Sequence, residues 1–137
     1  MNSTQVFPRS PKETMLGMVF LPRTIDKARA FRKKALGEYI YPCPLDKMVL
    51  NFFQVQPEVF AEKSEKSTDL EIEAWLKEKI GPKKKEQIDF INRQILERKP
   101  DSEDRMEYFL EIRNKIDPSR TDISTWVELI DLEEGRV

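Results

Sequence analysis

Ser67-Thr68-Asp69-Leu70-Glu71-Ile72-Glu73-Ala74-Trp75-Leu76-Lys77-Glu78-Lys79-Ile80-Gly81-Pro82 has the pattern of one complete helix. Trp75, Leu76 and Ile80 follow Ile72 by three, four and eight positions, which at 3.6 residues per turn places all four on one face. Ser67-Thr68-Asp69 offers side-chain oxygens to the unpaired amides of the first turn. Gly81-Pro82 is a stop: glycine accepts the left-handed backbone that closes a helix, and proline has no amide hydrogen with which to continue one. A single apolar stripe on a helix this short needs other elements to cover it.

The flanking sequence supplies such elements. Towards the C-terminus, Ile88, Ile91 and Ile95 mark the next helix, and Lys99-Pro100-Asp101-Ser102 separates it from one carrying Met106, Phe109, Leu110 and Ile116. After Asp117-Pro118, Asp122 is the expected cap of a final helix with Ile123, Trp126, Val127 and Ile130 on one face and Gly135 as its stop. Towards the N-terminus, Pro57 opens a short helix and Pro44 opens one that runs to about Phe53. Glu38-Tyr39-Ile40-Tyr41 reads as extended loop, too short for a sheet. Pro22 starts a helix predicted to reach Leu36 before Gly37, and Ser10-Pro11-Lys12-Glu13 reads as a capping box opening another. The expectation is an all-α, compact single-domain bundle of six to eight short helices over residues 1–137, with little or no sheet and with residues 1–8 as an extended or disordered arm.

Composition narrows the chemistry. A chain of 137 residues can bury one sizeable core without disulfides or a structural metal. Lys and Arg number 24 against 25 Asp and Glu, for a net charge of −1, and there is no histidine. That absence removes the Ser-His-Asp triad, the Cys-His pair and the usual nitrogen ligand of zinc. No catalytic residue, metal ligand or cofactor is assigned. No apolar run is long enough to span a bilayer, and the first ten residues lack the charged-then-apolar layout of a secretion signal, so a cytoplasmic protein without a membrane partner is expected. Cys43 is the single cysteine and has no internal disulfide partner.

Charge is uneven along the chain. Residues 1–37 hold eight Lys or Arg against two acids, a net of +6, and the rest carries −7. On a helical wheel Leu21, Ile25, Ala28, Ala35 and Leu36 form the apolar stripe of the basic helix, with Arg32 inside it and Arg29 on its border. An arginine facing a core needs a carboxylate or several carbonyl oxygens. Two readings follow. In one, Arg23, Lys27, Arg29 and Arg32 with Tyr39 line a pocket for an anion. In the other the charges pair internally, with Asp26, Asp46, Asp122, Asp131 and Arg136 as candidates and Asp46, Asp122 or Asp131 as the partner of Arg32. Nucleic acid is not the expected partner, because neither a stacking platform nor a nucleic-acid motif accompanies the basic residues. At or just before the start of a helix, Cys43 would have its thiolate favoured by the peptide dipoles, but with no histidine to act as base it reads first as a small buried hydrophobe. Glu103, Glu107 and Glu111 repeat every four residues as a solvated acidic face, and Trp75 and Trp126 read as core.

Several blocks together resemble a family: Arg9-Ser10-Pro11, Pro22-Arg23-Thr24-Ile25-Asp26-Lys27-Ala28-Arg29, Gly37-Glu38-Tyr39, Leu45-Asp46, Thr121-Asp122-Ile123-Ser124-Thr125-Trp126 and Ile130-Asp131-Leu132-Glu133-Glu134-Gly135-Arg136. They resemble the bacterial family catalogued as domain of unknown function 5069, over nearly the whole chain, with the terminal block the most specific part. Members often have a glycine pair where this chain has Gly17-Met18, and Phe-Leu-Gly-Val where it has Phe52-Phe53-Gln54-Val55. The resemblance implies a small stand-alone bacterial protein and brings no reaction, substrate or catalytic residue. The functional expectation is a binding module for a small anionic molecule or a protein partner. The alternatives are an enzyme with a carboxylate and arginine site, or a scaffold or oligomerisation unit.

Overall fold

The computed structural model describes residues 7–81 and 85–137. Along them run a two-stranded hairpin, β1 (Thr14–Met15) and β2 (Met18–Val19), and seven helices: α1 (Leu21–Arg32), α2 (Pro44–Phe53), α3 (Pro57–Lys66), α4 (Asp69–Ile80), α5 (Lys85–Leu96), α6 (Glu103–Ile116) and α7 (Trp126–Glu133). The fold is all-α but for that hairpin. In α4 the Thr68 hydroxyl accepts from the Glu71 amide while the Glu71 carboxylate accepts from the Thr68 amide, a reciprocal cap at 3.2 and 2.8 Å. Ile72 and Leu76 of its stripe are fully buried. Of the stop expected after α4, Gly81 is present with φ +50, and Pro82 lies outside the described residues.

The first element departs from expectation. No helix follows Ser10-Pro11-Lys12-Glu13: the Glu13 amide closes a turn on the Ser10 carbonyl at 3.1 Å, and the chain enters the hairpin, with Thr14 opposite Val19 and Met15 opposite Met18. Leu16 and Gly17 both have positive φ, at 57 and 77, which suits the two central residues of a tight hairpin turn. Tertiary contacts account for the difference. The Ser10 hydroxyl donates to Asp131 on α7 at 2.9 Å, and Asn92 of α5 accepts from the Val19 amide and donates to the Gly17 carbonyl at 2.9 and 2.8 Å. Of the arm expected over residues 1–8, residues 1–6 lie outside the described residues; Phe7 and Pro8 are half-buried.

Two boundaries also differ. α1 stops at Arg32 rather than near Leu36, because Lys34 takes the left-handed conformation and the Lys34 and Ala35 amides bond back to the Phe31 and Ala30 carbonyls at 3.2 and 2.8 Å. The cap of α7 is Thr125, in a capping box with Glu128, and not Asp122, which pairs with Arg120 at the surface.

The main core gathers β2, α1 to α5 and Val127, with Phe20, Leu21, Ile25, Phe60, Ile72 and Leu76 fully buried. Removing each such side chain from water contributes about 1.5–3 kcal/mol. A second, smaller cluster joins α6 to α7 through Phe109, Ile123, Leu129 and Leu132, and Trp126 packs against both clusters. No helix among the described residues is long and apolar enough to cross a membrane.

Candidate functional site

Helix α1 is submerged over its first two turns. Leu21, Ile25 and Ala28 point into the core, while Arg23, Asp26, Lys27, Ala30 and Lys33, spaced by three or four, form one stripe along the wall of an open cavity of about 1440 Å³. The facing walls are the Phe7-Pro8-Arg9 segment, residues 35–40 with Cys43, the end of α7 at Ile130, Glu133 and Glu134, and Tyr108 of α6.

Arg23 is only 3% exposed. Its Nη1 and Nη2 donate to Glu134 Oε1 and Oε2 at 2.9 and 2.7 Å, and Nη1 also reaches the Arg9 carbonyl at 3.2 Å. Glu134 accepts further from the Tyr39 hydroxyl at 2.9 Å and from Arg136. Burial alone would push the Glu134 carboxyl up, but the hydrogen bonds and charges of Arg23, Arg136 and Tyr39 outweigh it and leave the group below its ordinary value. The Tyr39 phenol moves the other way, pushed up to about 12 by burial and by Glu134. Arg23 also lies over the Tyr39 ring, 5.4 Å from its centroid. The Arg23 Nε is buried and has no hydrogen-bond partner.

Lys27, one turn further on, is 4% exposed and donates to Asp46 Oδ2 at 2.7 Å, while the Thr24 hydroxyl donates to Asp46 Oδ1 at 2.7 Å. Asp46 also takes the Cys43 amide at 2.9 Å, so one fully buried carboxylate ties α1 to the start of α2. Burial, and then Asp46, hold the Cys43 thiol above its ordinary value, which overrides the peptide-dipole effect expected at a helix start and keeps the sulfur protonated.

The remaining candidates pair as follows. Arg29 donates to the Ser64 and Ser67 carbonyls, both at 3.0 Å, and its Nη2 is 2.9 Å from Asp69. Asp26 takes Arg9 at 3.0 Å, and Arg9 also reaches Asp69 at 2.8 Å. Asp131 receives Arg136 at 3.0 Å in addition to Ser10. Arg32 is corrected outright. It is not in the core, does not border the cavity, and meets Glu65 at 3.1 Å instead of Asp46, Asp122 or Asp131, with 39% of its side chain exposed. Because α1 ends at Arg32, its last turn has already left the core that the longer predicted helix would have placed beneath it.

Four of the five anion-pocket candidates, Arg23, Lys27, Arg29 and Tyr39, thus meet on one cavity, and the three cations among them are already paired. Glu134, Arg9, Thr24 and Glu133 were not singled out from sequence, since bonds such as Arg23 to Glu134, separated by 111 residues, leave no trace in local spacing. The one available signal was the terminal block itself, with adjacent carboxylates ahead of Gly135. Among the described residues no group of three or more His, Cys, Asp or Glu is arranged to hold a metal ion. Glu103, Glu107 and Glu111 are all exposed. Trp75 is half-buried rather than core, with Lys63 and Lys79 over its ring at 5.5 and 5.2 Å.

A family model described as Domain of unknown function (DUF5069) matches residues 5–136, which takes in every wall of the cavity. No curated protein matches the chain.

Proposed function

Since the chain belongs to the family described as Domain of unknown function (DUF5069), we propose from its cavity that it is a binding module for a small organic molecule carrying an anionic group. The observation that supports this most is the convergence of Arg23, Lys27, Arg29 and Lys33 with Tyr39 on one cavity of about 1440 Å³. Lys33 is exposed and in no ion pair among the described residues. Much of the remaining lining is apolar or aromatic, as binding sites for organic ligands usually are. Nucleic acid is not part of the proposal, because most of the basic helix is neutralised inside the protein. A bacterial cytoplasmic setting is part of it, consistent with the lone Cys43.

The test is a thermal-shift screen of small carboxylates and phosphates, since a ligand that prefers the native state raises the melting temperature. Hits should lose their shift in Lys33→Glu, whose circular dichroism should match the parent. A screen without a single hit, or hits indifferent to Lys33→Glu, would remove the reading.

A carboxylate and arginine enzyme is the second reading, favoured by one observation. Glu133 and Glu134 are adjacent on the cavity wall, and burial with the charges of Glu134 and Glu38 pushes Glu133 up while Glu134 is held down. Neighbouring carboxyls whose proton affinities diverge are the arrangement that divides acid from base.

A further inference from the structure

Once the fold has made its own pairs, three charged side chains among the described residues of the cavity wall are left over. Lys33, Glu38 and Glu133 are all exposed and take part in no ion pair or side-chain hydrogen bond with the described residues. Every other charged group of the lining is engaged: Arg9 with Asp26 and Asp69, Arg23 with Glu134, Lys27 with Asp46, and Arg29 with Asp69. The leftover groups are therefore the ones free to choose a ligand.

Their signs are mixed. Among the described residues the lining carries five cations, at Arg9, Arg23, Lys27, Arg29 and Lys33, and four carboxylates, at Asp26, Glu38, Glu133 and Glu134. Asp46, Asp69 and Arg136 stand behind that wall as partners of its charges. Counting them, six cations meet six carboxylates among the described residues, so the wall offers a purely anionic ligand no net positive field. Burial, Glu134 and Glu38 together raise the proton affinity of Glu133 in spite of the opposing charge of Arg23. Neighbouring carboxylates in no ion pair of their own are relieved by a cation. The lining also offers the Tyr108 ring, whose face attracts ammonium groups as the Tyr39 ring already attracts Arg23, and Leu36, Ile40 and Ile130, which suit an apolar body. Ile40, 69% exposed, and Tyr108, 60% exposed, give the lining accessible apolar surface. On the cationic side, Lys33 has no acid among the described residues.

We infer that the ligand is a zwitterion with an apolar body, amino-acid-like in its charges: Glu38 and Glu133 receive its ammonium, and Lys33 receives its carboxylate. This rests on the reading above, that the cavity takes a molecule bearing an anionic group, and adds that the anion alone is not enough.

Two matched trios separate the inference from that reading. Each holds one body and varies the charges: L-phenylalanine, 3-phenylpropanoate and 2-phenylethylamine, then L-tryptophan, indole-3-propanoate and tryptamine. Calorimetric titration of the full chain at neutral pH should find at least one zwitterion bound about tenfold or more tighter than its matched acid and its matched amine. Glu133→Gln should erase that advantage without weakening the acid, while Lys33→Gln should weaken zwitterion and acid alike. Both positions are exposed and unpaired, so both variants should fold, with melting curves as the control. An acid that binds as well as its zwitterion would overturn the inference and leave the anion reading standing. An amine that binds as well as its zwitterion would overturn both, and so would silence from all six compounds.

Discussion

Arg23 and Glu134, 111 residues apart in sequence, meet end-on through two hydrogen bonds of 2.9 and 2.7 Å, with 3% and 4% of their side chains exposed. A buried pair of this kind contributes little net stability, because taking both charges out of water offsets most of their attraction. Breaking it is another matter. Glu134→Ala should cost about 3–5 kcal/mol in urea unfolding, since it strands the Arg23 guanidinium and also removes the acceptor of Tyr39 and Arg136. Arg23→Met combined with Glu134→Leu should recover a large part of that loss. A double variant as unstable as Glu134→Ala would mean that packing around the pair, and not the stranded charge, sets the cost.

The two neighbouring carboxyls predict opposite pH effects. Glu134 is held below its ordinary value in the folded state, so its contribution is complete above the unfolded value of about 4.3 and is lost as pH falls through the lower folded value. Glu133 is held above its ordinary value, so its charged form opposes folding at neutral pH and the penalty disappears as pH falls and the group takes up a proton. Glu133→Gln should therefore stabilise the protein at neutral pH by a few tenths of a kcal/mol, on the order expected for a group well screened by solvent. The advantage should vanish in acid, where the native side chain is neutral as well. Melting temperatures of the two proteins across the acid range check the sign: an advantage that grows with falling pH contradicts it.

Asp46 is the second buried anchor. It holds Lys27 and Thr24 of α1 and the Cys43 amide in front of α2, each at 2.7 to 2.9 Å. Asp46→Asn keeps the shape and removes the charge, leaving the Lys27 ammonium buried without a counter-ion at a cost of about 3–5 kcal/mol. Thr24→Val removes one hydrogen-bond donor and should cost about 1–3 kcal/mol. Chemical denaturation of both variants checks the order; equal losses would show that Lys27 escapes to water when its partner is neutralised.

Helix α6 is attached through the smaller cluster, against α7. Phe109 is its one buried residue, seated edge-on against Trp126 with ring centroids 5.2 Å apart. Truncation of a buried Phe costs about 3–5 kcal/mol, and here the loss should fall on a local opening rather than on the whole fold. Hydrogen exchange of Phe109→Ala should show α6 amides exchanging faster while those of α1 and α3, packed around Ile25 and Phe60, keep their protection. Uniform acceleration throughout the chain would show α6 to be part of one cooperative unit.

How far the sequence could be read depended on the range of the interaction behind each feature. The stripe of Ile72 and Leu76 and the cap at Thr68 were legible because periodicity and caps act within a few residues. The helix expected after Ser10 failed because the Ser10 hydroxyl is taken by Asp131 and the following turn by Asn92, neither visible from the local pattern. The same holds for the cavity. Its basic stripe could be read from spacing, but the acids that neutralise it lie on α2, α4 and α7, so the sequence showed cations without showing that most were engaged. Arg32 was misplaced because the end of α1 was drawn from Gly37, the most permissive residue nearby.

The residue that ends α1 in its place is a lysine, which makes a stabilising substitution available. Lys34 has φ +56, a conformation in which a side chain crowds the following carbonyl and which glycine adopts without that cost. The bonds that close the helix, from the Lys34 and Ala35 amides to the Phe31 and Ala30 carbonyls, involve backbone alone and survive any change of side chain that keeps the φ value. Lys34 is exposed and in no ion pair, so removing its side chain forfeits no contact. Glycine also widens the freedom of the unfolded chain, which takes back part of the gain. The net should be a stabilisation of about 0.5–1 kcal/mol for Lys34→Gly, read as a higher melting temperature. Lys33→Gly, one residue earlier where φ is −88, should instead destabilise. If the two variants shift the melting temperature in the same direction, the end of α1 is not set by the left-handed turn at Lys34.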